Sequence, residues 1–371
     1  IGHVSGFYGG VTADEPRAVL AGRDVLTAGG SAADAATAMY FMLAVTMPSA
    51  ASLGGGGVCL VRDPGTQVVE TLDFFGQPSS GEGRKVTVPG NPRGLYALHA
   101  KYGSLRWAEL IRPAENAARF GTRISRAFAE EIRGASNIIL KSPYLRSVFS
   151  DKHNTLVDEG VLLKRKDLAA FLARLRARGA GVLYAGANAR MFSEDAKRAG
   201  VGITYRDLVA AKPVWRSTLR VPFVNNTSVH FSMPRSAGGT LGAKVAAILA
   251  ANNLYKRAKP EERGHLIAEA IQRAIADGAN GFKSVSVKRE VQHVKGANKI
   301  KKVIFTQLPE AYAEQLIMGY QPNRLTNLAT QTPGVAIRGN EIGMTSLAVI
   351  DRKGGAVACA FSMNGAFGAG Q

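Results

Sequence analysis

Gly29-Gly30-Ser31-Ala32-Ala33-Asp34-Ala35-Ala36 is the stretch on which the reading of this chain turns. The glycine pair stops a helical pattern, and Ser31 is a residue type that caps the next one by offering its oxygen to free backbone N–H groups. From Ala32 to Val45 the text is rich in Ala and Met, small or adaptable side chains that allow close packing, so a buried helix is expected. Upstream, Asp14 before Glu15-Pro16 reads as an N-cap with proline just inside, and Ala18 to Ala28 has helical spacing. Downstream, Gly54 to Gly57 open into Val58-Cys59-Leu60-Val61, an apolar run of strand type. Val68 to Phe75 reads as its antiparallel partner across the Asp63-Pro64-Gly65 turn.

Further along, Asn91 to about Arg133, Asp167 to Arg178 and Ala187 to Arg198 carry helical spacing, strand-like text returns at Thr218 to Phe231, and helices follow at Ala243 to Tyr255 and Glu261 to Asp277. The chain closes on Thr345 to Asp351 and Ala356 to Ser362, separated by Arg352-Lys353-Gly354-Gly355, the clearest hairpin in the sequence.

With 371 residues, 46% hydrophobic and 20% charged, the chain can bury a large core, and no apolar run is long enough to span a bilayer, so a soluble protein without a transmembrane segment is expected. Cys59 and Cys359 are far apart and form no C-x-x-C or Cys/His cluster, so neither a disulfide framework nor a zinc site is indicated. Net charge is +19, a field that favours an anionic neighbour such as nucleic acid, acidic lipid or an acidic protein partner. The densest basic stretch, Lys283 to Lys302, intersperses Val and Ile without interleaved aromatics; it reads as a solvated strand or loop face rather than a specific nucleic-acid site. The tetraglycine lacks the Lys-Ser/Thr of a phosphate cradle, and His265 with Glu269 is half a metal site at most, better read as a hydrogen-bonding pair. No metal or cofactor is called for.

The glycine-serine stretch resembles the G-G-N-A-x-D-A-A signature of the gamma-glutamyltranspeptidase family, and Pro48 to Val58 resembles its P-x-x-x-x-x-G-G-G-G sequel. Leu72-Asp73-Phe74, Val88-Pro89-Gly90 and Tyr102-Gly103-x-Leu105-x-Trp107 follow in family order, as do Asp167-Leu168-Ala169, Tyr184-x-Gly186, Ile203-Thr204-x-x-Asp207-Leu208, the helix His265-x-x-x-Glu269-Ala270, and the hairpin after Gly343. Met233-Pro234-Arg235-Ser236-Ala237-Gly238-Gly239 resembles the family's P-P-P-S-S-G-G turn.

The resemblance implies an α+β, four-layer α/β/β/α fold of the N-terminal-nucleophile hydrolase type, made as a precursor that cuts itself into large and small subunits. Residues 1–344 would be the large-subunit part and 345–371 the start of the small one. It also implies a threonine at the new N-terminus that attacks an amide, with its freed α-amine aiding deprotonation. Counting back from Asp351 places that position on Met344, which has no hydroxyl; one residue of slack in the strand places it on Thr345, the reading favoured because the chemistry needs a hydroxyl. Autocleavage is then expected at Met344–Thr345. On its own, Thr345 is equally a β-branched residue starting a strand. Ser362 and Asn364 stand where the family has the Thr and Asn that support nucleophile and substrate; without the family they read as turn formers.

Phe75 stands where the family has an arginine that grips the α-carboxylate of the γ-glutamyl group, and a phenyl ring lacks the guanidinium fork. Simple packing on the strand is the plainer reading of Phe75. The resemblance therefore implies a gamma-glutamyltranspeptidase-like amidohydrolase or acyltransferase acting on an amide or peptide-like small molecule, with an inactive structural subunit as the alternative. Family small subunits are longer than the stretch after Thr345, so a C-terminal remainder or a substituting chain is expected to complete the fold. Family members are commonly exported, which points to a periplasmic or secreted protein; the basic charge keeps a mitochondrial or other organellar site as the alternative.

Overall fold

Two acidic residues compete to cap the first helix, and Glu15 takes the position expected of Asp14. In the computed structural model, which describes residues 8–232, 237–278, 286–293, 300–324, 326 and 343–370, Glu15 accepts hydrogen bonds from the N–H of Arg17 (2.8 Å) and of Ala18 (3.2 Å). Pro16 then begins α1 (Pro16–Thr27), where its missing N–H costs nothing. Ser31 caps α2 (Ala32–Thr46), and Asp34 reciprocates by accepting from the Ser31 N–H, a closed capping box. All fifteen residues of α2 are buried, as befits a helix apolar on every side. The helical text read as continuous from Asn91 is broken by Gly103 and Gly121 into α4 (Asn91–Tyr102), α5 (Trp107–Phe120) and a third helix at Arg126–Gly134, with α3 (Pro48–Ala51) preceding them. Gly121 makes the second break at φ +100°, which a side-chain-bearing residue adopts only with strain.

Alpha-two lies against a sheet whose order places the C-terminal hairpin in the interior: β1 (Gly9–Ala13), then Met344–Asp351, Ala356–Ser362, β2 (Gly56–Arg62) and β3 (Val69–Asp73). Pairing is antiparallel and unbroken, running Gly9↔Asp351 to Ala13↔Leu347, Met344↔Ser362 to Ile350↔Ala356, and Ala356↔Arg62 to Ser362↔Gly56. Because side chains alternate along a strand, the hairpin has two unlike faces. Thr345, Leu347, Val349 and Asp351 are buried together with Val357, Cys359 and Phe361. Phe361 packs on Tyr40 of α2 with ring centroids 4.9 Å apart, burial that contributes about 2–3 kcal/mol for such a ring. The opposite face carries Met344, Ser346, Ala348 and Ile350 beside Ala356, Ala358, Ala360 and Ser362, and none of these is buried.

Contrary to the expectation from spacing, Cys59 and Cys359 are joined in a disulfide. They are 300 residues apart, but the register sets them directly opposite one another on neighbouring strands, with Cα atoms 4.1 Å apart. Linear spacing is blind to a pair made by sheet topology.

The chain forms two compact units: 1–64, 72–214 and 340–371 make the first, and 65–71 with 215–339 make the second. In the second, Leu219–Phe223 pairs antiparallel with Thr227–Phe231, Ile300–Gln307 pairs with Ser286–His293, the helix Ala237–Ala250 packs over a core that includes Leu219, Val221, Ala243 and Leu308, and the helix Arg263–Asp277 packs Leu266, Ala270 and Ala274 with Ile248 and Leu249. Glu269 turns its carboxylate to Arg273 and Thr326, while His265 approaches Tyr320. No helix among the described residues is long and apolar enough to cross a membrane.

Candidate functional site

The signature residues do structural tasks first. Asp34 is fully buried and accepts hydrogen bonds from the N–H of Ser31 (2.9 Å), Ser104 (2.9 Å) and Leu105 (3.2 Å) and from the Ser104 hydroxyl (2.7 Å), tying the head of α2 to the loop between α4 and α5. Asp351 accepts from the N–H of Ala32 (2.9 Å) with one oxygen and from those of Lys353 and Gly355 (2.9 Å each) with the other, so it fixes both the hairpin turn and the helix start. The tetraglycine allows a close backbone crossing. Gly55 O accepts from the N–H of Gly90 (2.8 Å) and Asn91 (3.1 Å), and a Cβ on Gly90 would collide with the Phe74 carbonyl.

At the end of the hairpin, Met344 faces Ser362, Ser362 faces Gly56, and a Cβ on Gly56 would meet the Cα of Phe75 at 3.0 Å. Phe75, Gly56, Ser362 and Met344 therefore line up as one row across the sheet. Met344 is 55% exposed on the open face. Asn364, in the left-handed region at φ 62°, donates its N–H to Ser362 Oγ (2.9 Å) and its side-chain amide to Thr87 Oγ1 (3.5 Å).

Thr345 is not in that row. It is 5% exposed on the helix-facing side, where its hydroxyl donates to Asp14 Oδ2 at 2.7 Å; the Ser346 N–H reaches the same oxygen at 3.3 Å. Behind Asp14 sits Glu131, which accepts from the Ser49 hydroxyl. Burial pushes the Glu131 carboxyl above its ordinary value, the Ser49 hydrogen bond opposes this, and the charge of Asp14 adds to it. From Asp351 back to Met344 the strand has no skipped residue, so the structure sets Met344 opposite Ser362, to which Asn364 is bonded, and leaves Thr345 on the other side; Phe75 stands beyond β2 and lines a separate small pocket with Gly76, Val88 and Arg93. The sequence around Asp14 carries only the signal of a cap, since its partner Thr345 lies 331 residues away.

Beside Asn364 opens a cavity of about 560 Å³, walled by Phe192, Ile203, Met363 and Phe367, with Thr87 and Asn364 and the charged Arg84, Lys85, Arg165 and Asp195 also in its lining. That volume is of the size that takes small molecules. Among the described residues no group of His, Cys, Asp and Glu could hold a metal ion. The serine turn at Met233–Ser236 and residues 327–342 before the junction lie outside the described residues, as does part of Lys283 to Lys302.

Comparison with known proteins agrees with this scaffold. The chain is 31% identical over 285 residues to "Glutathione hydrolase 3" of Arabidopsis thaliana, covering 72% of this chain and 44% of the relative. It is 26% identical to the "Glutathione hydrolase proenzyme" of Pseudomonas aeruginosa, covering 98% of this chain and 65% of the relative. It thus spans less than two thirds of the length of either. Among solved structures, the gamma-glutamyltranspeptidase of Helicobacter pylori superposes with a TM-score of 0.73 at 26% identity, covering 91% of this chain and 99% of that one. The Bacillus anthracis transpeptidase CapD gives 0.63 at 27%, covering 74% and 92%. The fold is that of N-terminal-nucleophile hydrolases of this kind. A family model for gamma-glutamyltranspeptidase matches residues 18–371, and with the glycine crossing, the Asp34 and Asp351 anchors and the hairpin register in place, the chain belongs to the gamma-glutamyltranspeptidase family.

Proposed function

We propose that this chain is a family member retained for its scaffold and its cleft, and that it does not perform threonine-nucleophile amide hydrolysis. One observation carries this reading: the unbroken hairpin register sets Met344, a thioether with no proton to give and no oxygen to attack with, in the row with Ser362 and beside Asn364. The only adjacent threonine, Thr345, is on the buried side. Phe75 supports the same conclusion for recognition, since no guanidinium stands there to pair with a glutamyl carboxylate. In this reading the protein acts as a structural subunit, and its open sheet face, with Ile350 43% and Met344 55% exposed, is covered by further polypeptide, either a C-terminal remainder or another chain. The +19 charge suits an acidic partner. The disulfide supports folding in an oxidising compartment such as the periplasm or the cell exterior.

One observation favours the enzyme instead: a hydroxyl 2.7 Å from a carboxylate, as Thr345 is from Asp14, is the arrangement of a base-assisted nucleophile. Intact-mass analysis together with hydrolysis of a chromogenic γ-glutamyl anilide and an acyl-amide panel decides between them. The expected result is one unbroken species and no turnover. A new N-terminus at Met344 or Thr345, or turnover abolished by Thr345→Ala, would overturn the proposal.

A further inference from the structure

The first compact unit is discontinuous in sequence. Its body ends at residue 214, the chain then runs through the second unit, and it returns at residue 340 to supply the hairpin. That hairpin is no peripheral addition, because its strands lie between β1 and β2 and pair with both. Through the peptide backbone alone, the hairpin is held to β2 by a path that includes the whole second unit.

Cys59 and Cys359 supply a shorter path. Cys59 is on β2, Cys359 is on the second hairpin strand, and both belong to the first unit. They are buried at 0% and 3% exposure, so a thiolate from solvent has no approach to either sulfur while the sheet is closed. No other cysteine exists in the chain to reshuffle with.

We propose that the Cys59–Cys359 disulfide is a bypass, a second covalent path that keeps the hairpin in the first unit whatever happens to the chain running through the second. Without it, a break or unfolding in the second unit would leave the hairpin tethered by a long flexible loop or not at all, and its docking would become a matter of effective concentration. With it, the row Phe75, Gly56, Ser362 and Met344 stays in register after a cut. Release then requires two events, a break in the second unit and reduction. In the reduction, a dithiol donates two electrons and two protons, the sulfur–sulfur bond breaks, two cysteine thiols form, and the reductant leaves as its cyclic disulfide.

The test uses the full chain with a site-specific protease sequence inserted after Gly319, a turn in the second unit next to the 74%-exposed Met318. After cutting, a non-reducing denaturing gel is expected to show one species of full-length mass and a reducing gel two. On native size exclusion the cut protein is expected to elute intact, and to lose its C-terminal piece once dithiothreitol has opened the disulfide under mild denaturant that is then removed. The same insertion in Cys59→Ser/Cys359→Ser should lose the piece on cutting alone; where that variant does not fold, the oxidised and reduced wild type decide. Two titratable thiols in the unreduced, unfolded chain would overturn the bypass. So would a C-terminal piece that stays bound equally well after reduction, since non-covalent pairing would then suffice.

Discussion

The two faces of the hairpin have had different fates. On the side toward α2, each position does the work its signature implies: Asp351 holds the turn and the helix start, Phe361 packs on Tyr40, Cys359 is bonded to Cys59, and Thr345 is bound to Asp14. On the other side, the position that strict counting assigns to the nucleophile holds Met344, its neighbour on the next strand is Ser362, and the surrounding surface is Ala348, Ala358 and Ala360. Since side chains alternate with a period of two, one residue of displacement moves a hydroxyl from one fate to the other. The packing constraints on one side of the hairpin are therefore independent of which residues stand on its reverse side.

The largest expected effect lies on the scaffold side. Asp34→Ala removes a fully buried acceptor from three part-buried backbone N–H groups and two hydroxyls, and should cost about 3–5 kcal/mol in denaturant unfolding. If it costs under about 1 kcal/mol, the helix-facing side is not what maintains the fold and the contrast fails. Next comes Cys59→Ser/Cys359→Ser, which frees a long loop in the unfolded chain and should cost about 2–4 kcal/mol. A thiol titration of the unfolded wild type, expected to read zero without reductant, checks the same point.

Much of that side was legible in the sequence. Ser31, Asp34 and the glycines around them are local signals, read within a few residues, and the hairpin declared itself by two apolar runs about Lys353-Gly354. What could not be read were the relations made only by topology. Asp14 reads as a cap because it stands just before Glu15-Pro16, and the Cys59–Cys359 pair is invisible until β2 lies beside the last strand. The site suffered from the same blindness. Requiring a hydroxyl favoured Thr345, whereas a strand's alternation, together with unbroken pairing, separates Met344 from Thr345 by the thickness of the sheet.

Thr345→Val keeps the shape and removes the donor to Asp14, so it should cost about 1–2 kcal/mol with no change in any hydrolytic readout. Glu131, behind Asp14, adds a pH dependence whose sign follows from its raised carboxyl. The folded state binds that proton more tightly than the unfolded state, so this group's contribution is fully present below the ordinary value of 4.5 and is lost as pH rises through the raised folded value. Glu131→Gln should flatten that decline in a pH series of unfolding midpoints and leave the protein no less stable at neutral pH. A steeper decline in the variant would mean that the buried acid is compensated by something other than Ser49.

The smallest effect should come from Met344→Thr, one residue from Thr345. Met344 is more than half exposed and makes no contact that burial rewards, and threonine is a good strand former, so stability should move by less than about 0.5 kcal/mol. Thr345→Met, the reciprocal change, drives a long apolar chain against the Asp14 carboxylate and removes its donor, so it should cost at least as much as Thr345→Val. The double exchange should then equal the sum of the two single changes, because the side chains stand on opposite faces and share no partner. A coupling above about 0.5 kcal/mol would show that the sheet transmits strain between its faces, and the open side would have to be counted as part of the scaffold after all.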